Sequence, residues 1–375
     1  MKPPSVLGII SYQVFPAKMG GQKCAASFYS HLAKLTPVTL AVSKENAGAV
    51  NADANVFPFL YHHKQGIRNL RYIYRLQKLI KERNIDVVCI EHSYFGWMGI
   101  LLRWLTKKPF VVHSHNIEAK RFRDMHKTGW RIYQWYEGWV HRNADHSFFI
   151  TEEDKSWAIK KWQLAENACS VVTYGTDILQ PPSNDERAAC RKQLLEENGL
   201  DASNRLFLFN GTLDYLPNTD ALRIIISELL PLLQPMNFSF RIFICGNRLS
   251  AQWEKVLNAY PGIIIYKGFV DDISLYFKGA DCFINPVTLG SGIKTKLVDA
   301  LAYDQPCISA KTGAKGIPAE ITGTKLVLAD DYDWPAFAQH MFAHKNFTQH
   351  TPPPFYQFFN WEAIVREALL SLQTL

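Results

Sequence analysis

The sequence predicts an α/β protein of two domains, each built on a doubly wound parallel sheet. Short apolar strands alternate with amphipathic helices in both halves of the chain, which is the pattern of parallel sheets. Several strands of the second half end in glycine, and ligands bind such sheets at the carboxyl ends of their strands. The chain has 375 residues, 47% of them hydrophobic, which is enough for two full cores.

The second half shows the pattern of strand, glycine and helix most clearly. An apolar strand ends just before Gly211, and the helix that follows is predicted to use Asn218 as its N-cap. Residues 241–246 are another short strand that ends in glycine. Residues 268–286 read as a strand end, a helix and a strand, and Gly268 is placed where a ligand can approach the backbone.

Residues 290–306 are the most informative stretch, because a glycine pair opens a segment with helical spacing. The first turn of such a helix offers unpaired backbone N–H groups and the positive end of the dipole, which suit a phosphate. Lys294 and Lys296 add positive charge there, and Asp299 is spaced to accept hydrogen bonds from ribose hydroxyls. From these residues alone, a plain surface helix is an equally good interpretation.

Three segments in order, residues 210–222, 268–286 and 290–309, resemble retaining glycosyltransferases of family 4, the glycosyl transferases group 1. The resemblance implies the GT-B fold, in which two Rossmann-like domains face a cleft. It implies transfer of a sugar from a nucleotide-diphosphate sugar, a UDP- or GDP-sugar above all, to a glycan, lipid-linked or small-molecule acceptor with retention of anomeric configuration. It also implies a metal-independent reaction with no cofactor, in which the leaving phosphate takes the acceptor proton.

The resemblance assigns two residues to catalysis. Lys294 would stabilise the departing diphosphate, and His115, six residues after Pro109, would reach the donor sugar. His113 falls inside the strand and is expected to point elsewhere. The donor site would comprise Gly21, Gly211, Thr212, Gly268, Ser291, Gly292, Thr295, Lys296 and Asp299. A tight turn with no ligand remains the alternative for Gly21.

The chain departs from the family pattern at several positions. Two glutamates eight residues apart are common in the family, and here these positions are Ser291 and Asp299. The usual Arg and Lys after the first glycine are Thr212 and Pro217. These departures leave the donor sugar open. They also keep two alternatives: a catalytically silent nucleotide-binding partner subunit and a sugar-nucleotide epimerase.

The first half predicts a similar sheet, with a helix after Gly20 and Gly21. Its strands are expected at residues 5–10, 38–42, 85–90, 109–115, 146–150 and 169–173. The predicted domains are residues 1–174 on the acceptor side, a linker at 175–184, a nucleotide-sugar domain at 185–350, and a terminal segment at 351–375 whose helix crosses back to the first domain.

Charge is distributed unevenly along the chain. Residues 1–180 hold 24 Lys and Arg against 14 Asp and Glu, a net of +10, and residues 181–375 hold 17 against 20, a net of −3. The segment 67–84 carries basic residues at helical spacing: Arg68, Arg71, Arg75 and Lys78. A solvated helix packed on its sheet and peripheral contact with an anionic membrane both fit this pattern. The basic surplus lacks a nucleic-acid-binding motif, so a nucleic-acid partner is not expected.

Composition argues for a cytoplasmic protein. The seven cysteines are scattered without a C-x-x-C pair, which is typical of reduced core thiols and not of disulfides or a zinc site. No apolar run reaches the eighteen or so residues that span a bilayer. The first residues read as a buried strand and not as a signal peptide.

Overall fold

The computed structural model describes residues 2–17, 19–48, 54–343 and 349–375. The chain divides into two compact units. Unit 1 comprises Met1–Gly175, Ser291–Ile293 and Phe359–Leu375, and unit 2 comprises Thr176–Gly290 and Lys294–Phe358. Each unit contains one parallel sheet with helices packed against it, which confirms the predicted fold class.

The sheet of unit 1 has seven strands in the order β3-β2-β1-β4-β5-β6-β7. The strands are β1 Val6–Ile10, β2 Val38–Ser43, β3 Asn55–Leu60, β4 Val87–Glu91, β5 Phe110–Ser114, β6 His146–Phe149 and β7 Cys169–Val171. The sequence predicted all of them except β3. That strand lies at the sheet edge and contains Pro58, and proline is tolerated in a strand mainly at an edge.

Helices connect the strands of unit 1. They are α1 Gly20–Ala33, α2 Ile73–Glu82, α3 Gly96–Thr106, α4 Glu118–Asp124, α5 Trp130–Asn143 and α6 Glu152–Trp162. The predicted basic helix is α-helical only from Ile73, because His63–Tyr72 is a 3-10 segment. Helices α2, α3 and α5 share one apolar core with β1, β4 and β5, which fixes the sheet under them.

The sheet of unit 2 has six strands in the order β10-β9-β8-β11-β12-β13. They are β8 Arg205–Asn210, β9 Phe240–Cys245, β10 Ile264–Gly268, β11 Cys282–Asn285, β12 Cys307–Ala310 and β13 Leu326–Ala329. Its helices are α7 Asn184–Glu197, α8 Leu216–Ile224, α9 Leu230–Leu233, α10 Ala251–Asn258, α11 Ser274–Gly279, α12 Thr295–Ala302, α13 Trp334–Ala343 and α14 Pro353–Phe358. A π-helical turn, Ile225–Leu229, joins α8 to α9.

Two helix starts differ from the sequence prediction. Helix α8 begins at Leu216 with Tyr215 as its N-cap, so Asn218 was wrongly predicted as the cap. Pro217 fits the first turn of the helix, where no backbone N–H donor is needed, so the helix begins earlier in the chain than predicted. Helix α12 begins only at Thr295 with Lys294 as its N-cap, because Gly290 and Gly292 have φ of +85° and +72° and lie outside the helix.

The last helix, α15 Trp361–Gln373, packs against α1 and belongs to unit 1. Asn360 caps it, since its side-chain oxygen accepts a hydrogen bond from the Ala363 N–H. All seven cysteines are free thiols, and all but the half-buried Cys190 are buried. Within the described residues, no helix has both the length and the apolar character to cross a membrane.

Candidate functional site

The carboxyl edge of the unit 1 sheet brings one carboxylate and two histidines together. Glu91 ends β4 and lies opposite His113 of the neighbouring strand β5. His113 Nδ1 and Glu91 Oε1 are hydrogen-bonded at 3.0 Å, and His115 Nε2 lies 2.8 Å from Glu91 Oε2. All three side chains are buried. A single carboxylate thus engages two imidazoles, one with each oxygen.

His113 was expected to point elsewhere than the donor sugar, and the structure places its ring beside that of His115. Side chains two residues apart on a strand point to the same side, and the two ring centroids are 4.7 Å apart. His113 also packs against Phe28 of α1, with ring centroids 4.6 Å apart. His113 is therefore part of the same cluster as His115, although its ring lies in the core.

The cluster is ionised at Glu91 and neutral at His115 near pH 7. Burial opposes ionisation of Glu91, but His113 and His115 outweigh it, so the pKa of the carboxyl is lowered. Burial lowers the pKa of His115, and the nearby Glu91 carboxylate only partly opposes this. A neutral His115 ring next to a carboxylate contributes an N–H group and not positive charge.

A second buried carboxylate lies beside this cluster. Glu118, at the start of α4, accepts hydrogen bonds from Tyr94 Oη at 2.5 Å and from Arg121 Nε at 2.9 Å. His92 Nδ1 lies 3.7 Å from Glu118 Oε1, and its ring centroid is 4.6 Å from that of His115. His92 has a φ of +59°, which non-glycine residues rarely adopt and which concentrates at functional sites.

Glu137 of α5 fixes the beginning of α4. Its two carboxyl oxygens accept hydrogen bonds from the N–H groups of Glu118 and Ala119, both at 3.0 Å. These amides belong to the first turn of the helix, where N–H groups lack intrahelical partners. Burial raises the pKa of Glu137 to about 8, although the two amides act in the opposite direction. No sequence pattern indicated this contact, which links α5 to α4.

Gly21 and His115 lie next to each other in unit 1. Helix α1 begins at Gly20, and a Cβ atom added at Gly21 would lie 4.0 Å from His115 Nδ1. Among the described residues, His115 Nδ1 has no hydrogen-bond partner. The missing side chain of Gly21 therefore leaves the second ring nitrogen of His115 facing the backbone of the α1 N-terminus.

In unit 2, glycines line the carboxyl edge of three neighbouring strands. The Gly211 N–H donates to Cys245 O at 3.0 Å, and the Gly246 N–H donates to Gly268 O at 2.7 Å. A Cβ atom at Gly246 would lie 2.0 Å from Gly211 O, so only glycine fits there. Gly268 has a φ of +66° and open space where a side chain would be. The edge is thus free of side chains at Gly268.

Lys296 reaches this edge from the first turn of α12. Its Nζ donates to Asn210 O at 3.2 Å and to Asn218 Oδ1 at 3.0 Å, and it lies 4.2 Å from the centroid of the Phe209 ring. Asn218 Nδ2 in turn donates to Thr212 O at 2.9 Å, which ties Lys296 to the loop after β8. Sequence reasoning placed Lys296 correctly near a helix start but missed Asn210 and Asn218.

Desolvation of its ammonium, followed by repulsion from Lys294, lowers the pKa of Lys296 to about 7. An anion placed beside the ammonium would favour the charged form and reverse this shift. Lys294 itself donates from Nζ to Gly290 O at 3.0 Å. The edge of unit 2 therefore carries two cationic side chains, and the charge of Lys296 depends on what binds next to it.

The remaining predicted donor residues lie on two short stretches. Thr295 and Asp299 are half-buried residues of α12 in unit 2. Ser291 and Gly292 precede that helix and are grouped with unit 1. The structure thus places Gly211, Thr212, Gly268, Thr295, Lys296 and Asp299 in one unit, and Gly21, His115, Ser291 and Gly292 in the other.

Glu91, His113 and His115 are also the one described group whose metal-ligand-type atoms come together, all within 4.8 Å of one another. In the structure, both carboxylate oxygens already contact ring nitrogens. A cation on these atoms would have to replace the ring protons that face the carboxylate. The arrangement therefore fits a hydrogen-bonded cluster better than a metal centre.

Comparison with known proteins identifies the family. Residues 20–178 match Glycosyltransferase Family 4, and residues 204–343 match Glycosyl transferases group 1. The chain belongs to the family 4, group 1 glycosyltransferases. This confirms both the family that the sequence motifs indicated and the expectation of an enzyme.

Relatives of this glycosyltransferase agree in fold and in reaction class. The UDP-Gal:alpha-D-GlcNAc-diphosphoundecaprenol alpha-1,3-galactosyltransferase of Escherichia coli is 22% identical over 285 residues, which cover 74% of this chain and 68% of the relative. A glycosyltransferase from Rickettsia africae superposes with a TM-score of 0.74 at 13% identity, covering 100% and 99% of the two chains. Anabaena HepE in complex with UDP-glucose gives 0.71 at 15%, covering 99% and 100%. The structural matches support the GT-B fold.

Proposed function

We propose that this glycosyltransferase moves a hexose from a UDP-sugar to a lipid-linked glycan acceptor with retention of anomeric configuration. The observation that carries the proposal is the carboxyl edge of the unit 2 sheet. There the glycine-ended strands, Lys296 and the N-terminus of α12 lie together, as a nucleotide diphosphate requires. The positive charges match the two phosphates.

The choice of donor rests on relatives. The E. coli relative is named for UDP-galactose, and HepE was solved with UDP-glucose. Both donors combine uridine diphosphate with a hexose. We infer the same donor class here and leave galactose and glucose as the two candidates.

In the proposed reaction, the bond from the anomeric carbon to the donor phosphate breaks and a bond to the acceptor hydroxyl forms on the same face. The acceptor proton passes to the leaving phosphate oxygen, so no protein base is needed. Lys294, Lys296 and the α12 amides stabilise the diphosphate, Asp299 binds the ribose and His115 binds the sugar. These cationic groups take the role that a metal ion plays elsewhere, and we therefore propose a metal-independent reaction without a cofactor.

The proposed acceptor implies contact with a membrane surface, and unit 1 offers a suitable face. Helices α2, α3 and α5 pack on the sheet with one side and expose large apolar residues on the other. Tyr74 is 78% exposed, Ile132 75%, Trp104 68% and Trp135 66%. Basic residues accompany them on the same helices or next to them: Arg71, Arg75, Lys78, Lys107 and Arg131. Exposed aromatic side chains among basic ones suit an anionic lipid interface.

A thermal-shift panel of UDP-, GDP- and ADP-sugars tests the donor assignment. A ligand at about a hundred times its dissociation constant stabilises the folded state by about 2.7 kcal/mol. We expect UDP-hexoses to raise the melting temperature more than GDP- or ADP-sugars at equal concentration. Stabilisation by no nucleotide sugar in the panel would contradict the donor site.

Asp299→Ala should weaken UDP binding by about 1–3 kcal/mol, the usual effect of removing a charged hydrogen-bond acceptor. The reason is that the ribose hydroxyls would lose the carboxylate that accepts their hydrogen bonds. Calorimetric titration with UDP measures the effect, and circular dichroism checks the fold. Glu254→Ala, which removes an exposed carboxylate of α10, is the matched control and should bind like the wild type. Wild-type UDP affinity in Asp299→Ala would remove Asp299 from the site.

The double substitution Trp104→Ser, Trp135→Ser should reduce binding to vesicles that contain phosphatidylglycerol by roughly tenfold, because two interfacial aromatic anchors are lost. Co-sedimentation at low and high salt measures it, and binding of the wild type should fall with salt. Tyr332→Ser removes an aromatic side chain of unit 2 that is 66% exposed and serves as the control. Equal binding of wild type and double variant would refute this lipid-contact face.

A further inference from the structure

We infer that Glu91 is a positioning residue whose carboxylate keeps the proton of His115 on Nε2, so that Nδ1 is the hydrogen-bond acceptor offered to the sugar. The inference rests on the proposed function, in which His115 contacts the donor sugar. It assigns Glu91 a role that neither the sequence motifs nor the family match indicated.

The carboxylate of Glu91 is enclosed by the protein and contacts two histidines. Its carboxylate is fully buried, and its two oxygens contact His113 Nδ1 at 3.0 Å and His115 Nε2 at 2.8 Å. The contact with His113 is a hydrogen bond, and the contact with His115 has the distance of an ion pair, without the geometry of a hydrogen bond. Glu91 acts on a substrate through His115 and not by direct contact.

The Glu91 carboxylate determines which ring nitrogens of His113 and His115 carry protons. An ionised carboxylate has only acceptor atoms, so each ring nitrogen that faces it must carry a proton. A neutral imidazole has a single N–H, which leaves its other nitrogen bare. For His115 the bare nitrogen is Nδ1, which lies next to Gly21 and has no hydrogen-bond partner among the described residues. A sugar hydroxyl can donate to it.

His113 holds the Glu91 carboxylate in one orientation. Its Nδ1–H occupies the other oxygen of Glu91, and its ring is held between Phe28 and Phe148, with centroid distances of 4.6 and 6.1 Å. This packing fixes the orientation of the carboxylate. A rigid carboxylate in turn holds the His115 ring in one orientation and one tautomer.

The direct test is nitrogen-15 NMR of the histidine side chains in the unliganded enzyme at pH 7.5. The signals of His115 are assigned as those that are absent from the spectrum of His115→Ala. We expect His115 to be neutral and protonated on Nε2. In Glu91→Gln, the amide has one oxygen and can accept from only one of the two rings, so the protonation pattern of the His113 and His115 pair should change. Transfer should fall by about 100-fold, because the acceptor at Nδ1 is no longer fixed.

Glu137→Gln is the matched control, because it replaces a buried carboxyl group of the same unit that contacts amides and no histidine. It should leave the His115 nitrogen signals unchanged even if stability falls. His115 protonated on Nδ1 in the wild type, or unchanged signals and transfer in Glu91→Gln, would overturn the inference. Stoichiometric metal bound to the purified enzyme would overturn it too.

The two proposals fail separately. If the wild type transfers no sugar but His115 is protonated on Nε2 in a way that depends on Glu91, the proposed function fails and the assignment of Glu91 as the group that sets the tautomer stands. If transfer is normal and the tautomer does not depend on Glu91, the proposed function stands and the assignment of Glu91 as the group that sets the tautomer fails.

Discussion

Replacing His115 by alanine is expected to lower glycosyl transfer by about 10- to 1,000-fold while leaving UDP affinity nearly unchanged. In the proposed reaction the sugar would lose its contact with the imidazole, whereas the residues proposed to bind the nucleotide belong to unit 2. Steady-state transfer at saturating donor measures the first effect, and calorimetric titration with UDP measures the second. A fall in turnover without a fall in UDP affinity is the result that assigns His115 to the sugar.

His146→Ala is the control for this experiment. His146 is also buried and hydrogen-bonded, through Nε2 to Ser170 Oγ at 2.7 Å, but it begins β6 and so lies at the opposite edge of the sheet. Its loss should affect stability and not the ratio of turnover to UDP affinity. Undiminished transfer by His115→Ala would remove His115 from the reaction.

Lys296→Met is expected to lower turnover by about 100-fold, the scale of losing one charge-stabilising group from a transition state. It should also abolish a proton uptake that accompanies UDP binding. In the enzyme without UDP, the pKa of Lys296 is lowered to about 7. The diphosphate favours the charged form, so the pKa of Lys296 should be higher in the enzyme with UDP bound. At pH 8, binding should therefore take up close to one proton.

UDP affinity should depend on pH through the titration of Lys296. Well below pH 7 Lys296 is charged with or without ligand, and UDP affinity should not depend on its titration. As pH rises above 7, the free enzyme loses the proton first and UDP affinity should fall. Calorimetry at pH 8 in two buffers of different ionisation enthalpy measures the uptake.

Lys255→Met, at an exposed lysine of α10, is the control and should retain both turnover and proton uptake. Because Lys294 lies at the same helix start, Lys294→Ala and the double variant belong in the series. Normal turnover in both single variants and the double variant would place the phosphate site elsewhere.

Much of the fold is readable from the sequence because its signals are local. Short apolar runs indicated six of the strands in unit 1, and in unit 2 the apolar runs that end near Gly211 and Gly268 placed these glycines at strand ends. The edge strand β3 was missed because Pro58 and its partly exposed pattern obscure the apolar run. The start of α8 was misplaced because Pro217 and Asn218 are both good first-turn residues.

The candidate site was only partly readable, because its decisive contacts link distant positions. Lys296 meets Asn210, 86 residues earlier, through a side chain whose direction the helical spacing does not give. Glu91 and His113 are neighbours only because β4 and β5 pair in parallel. A useful signal was present, since both strands end in polar residues, and the carboxyl ends of adjacent parallel strands meet. The two-residue period of a strand also brings His113 beside His115.

The central claim is that this enzyme transfers a sugar from a UDP-hexose with retention. The most direct measurement is UDP release from UDP-galactose and UDP-glucose with and without a lipid-linked sugar diphosphate acceptor, followed by proton NMR of the product's anomeric configuration. We predict UDP release that depends on acceptor and a product linkage with the donor's anomeric configuration. An inverted linkage would contradict retention, and no acceptor-dependent UDP release from either donor would contradict the proposed transfer.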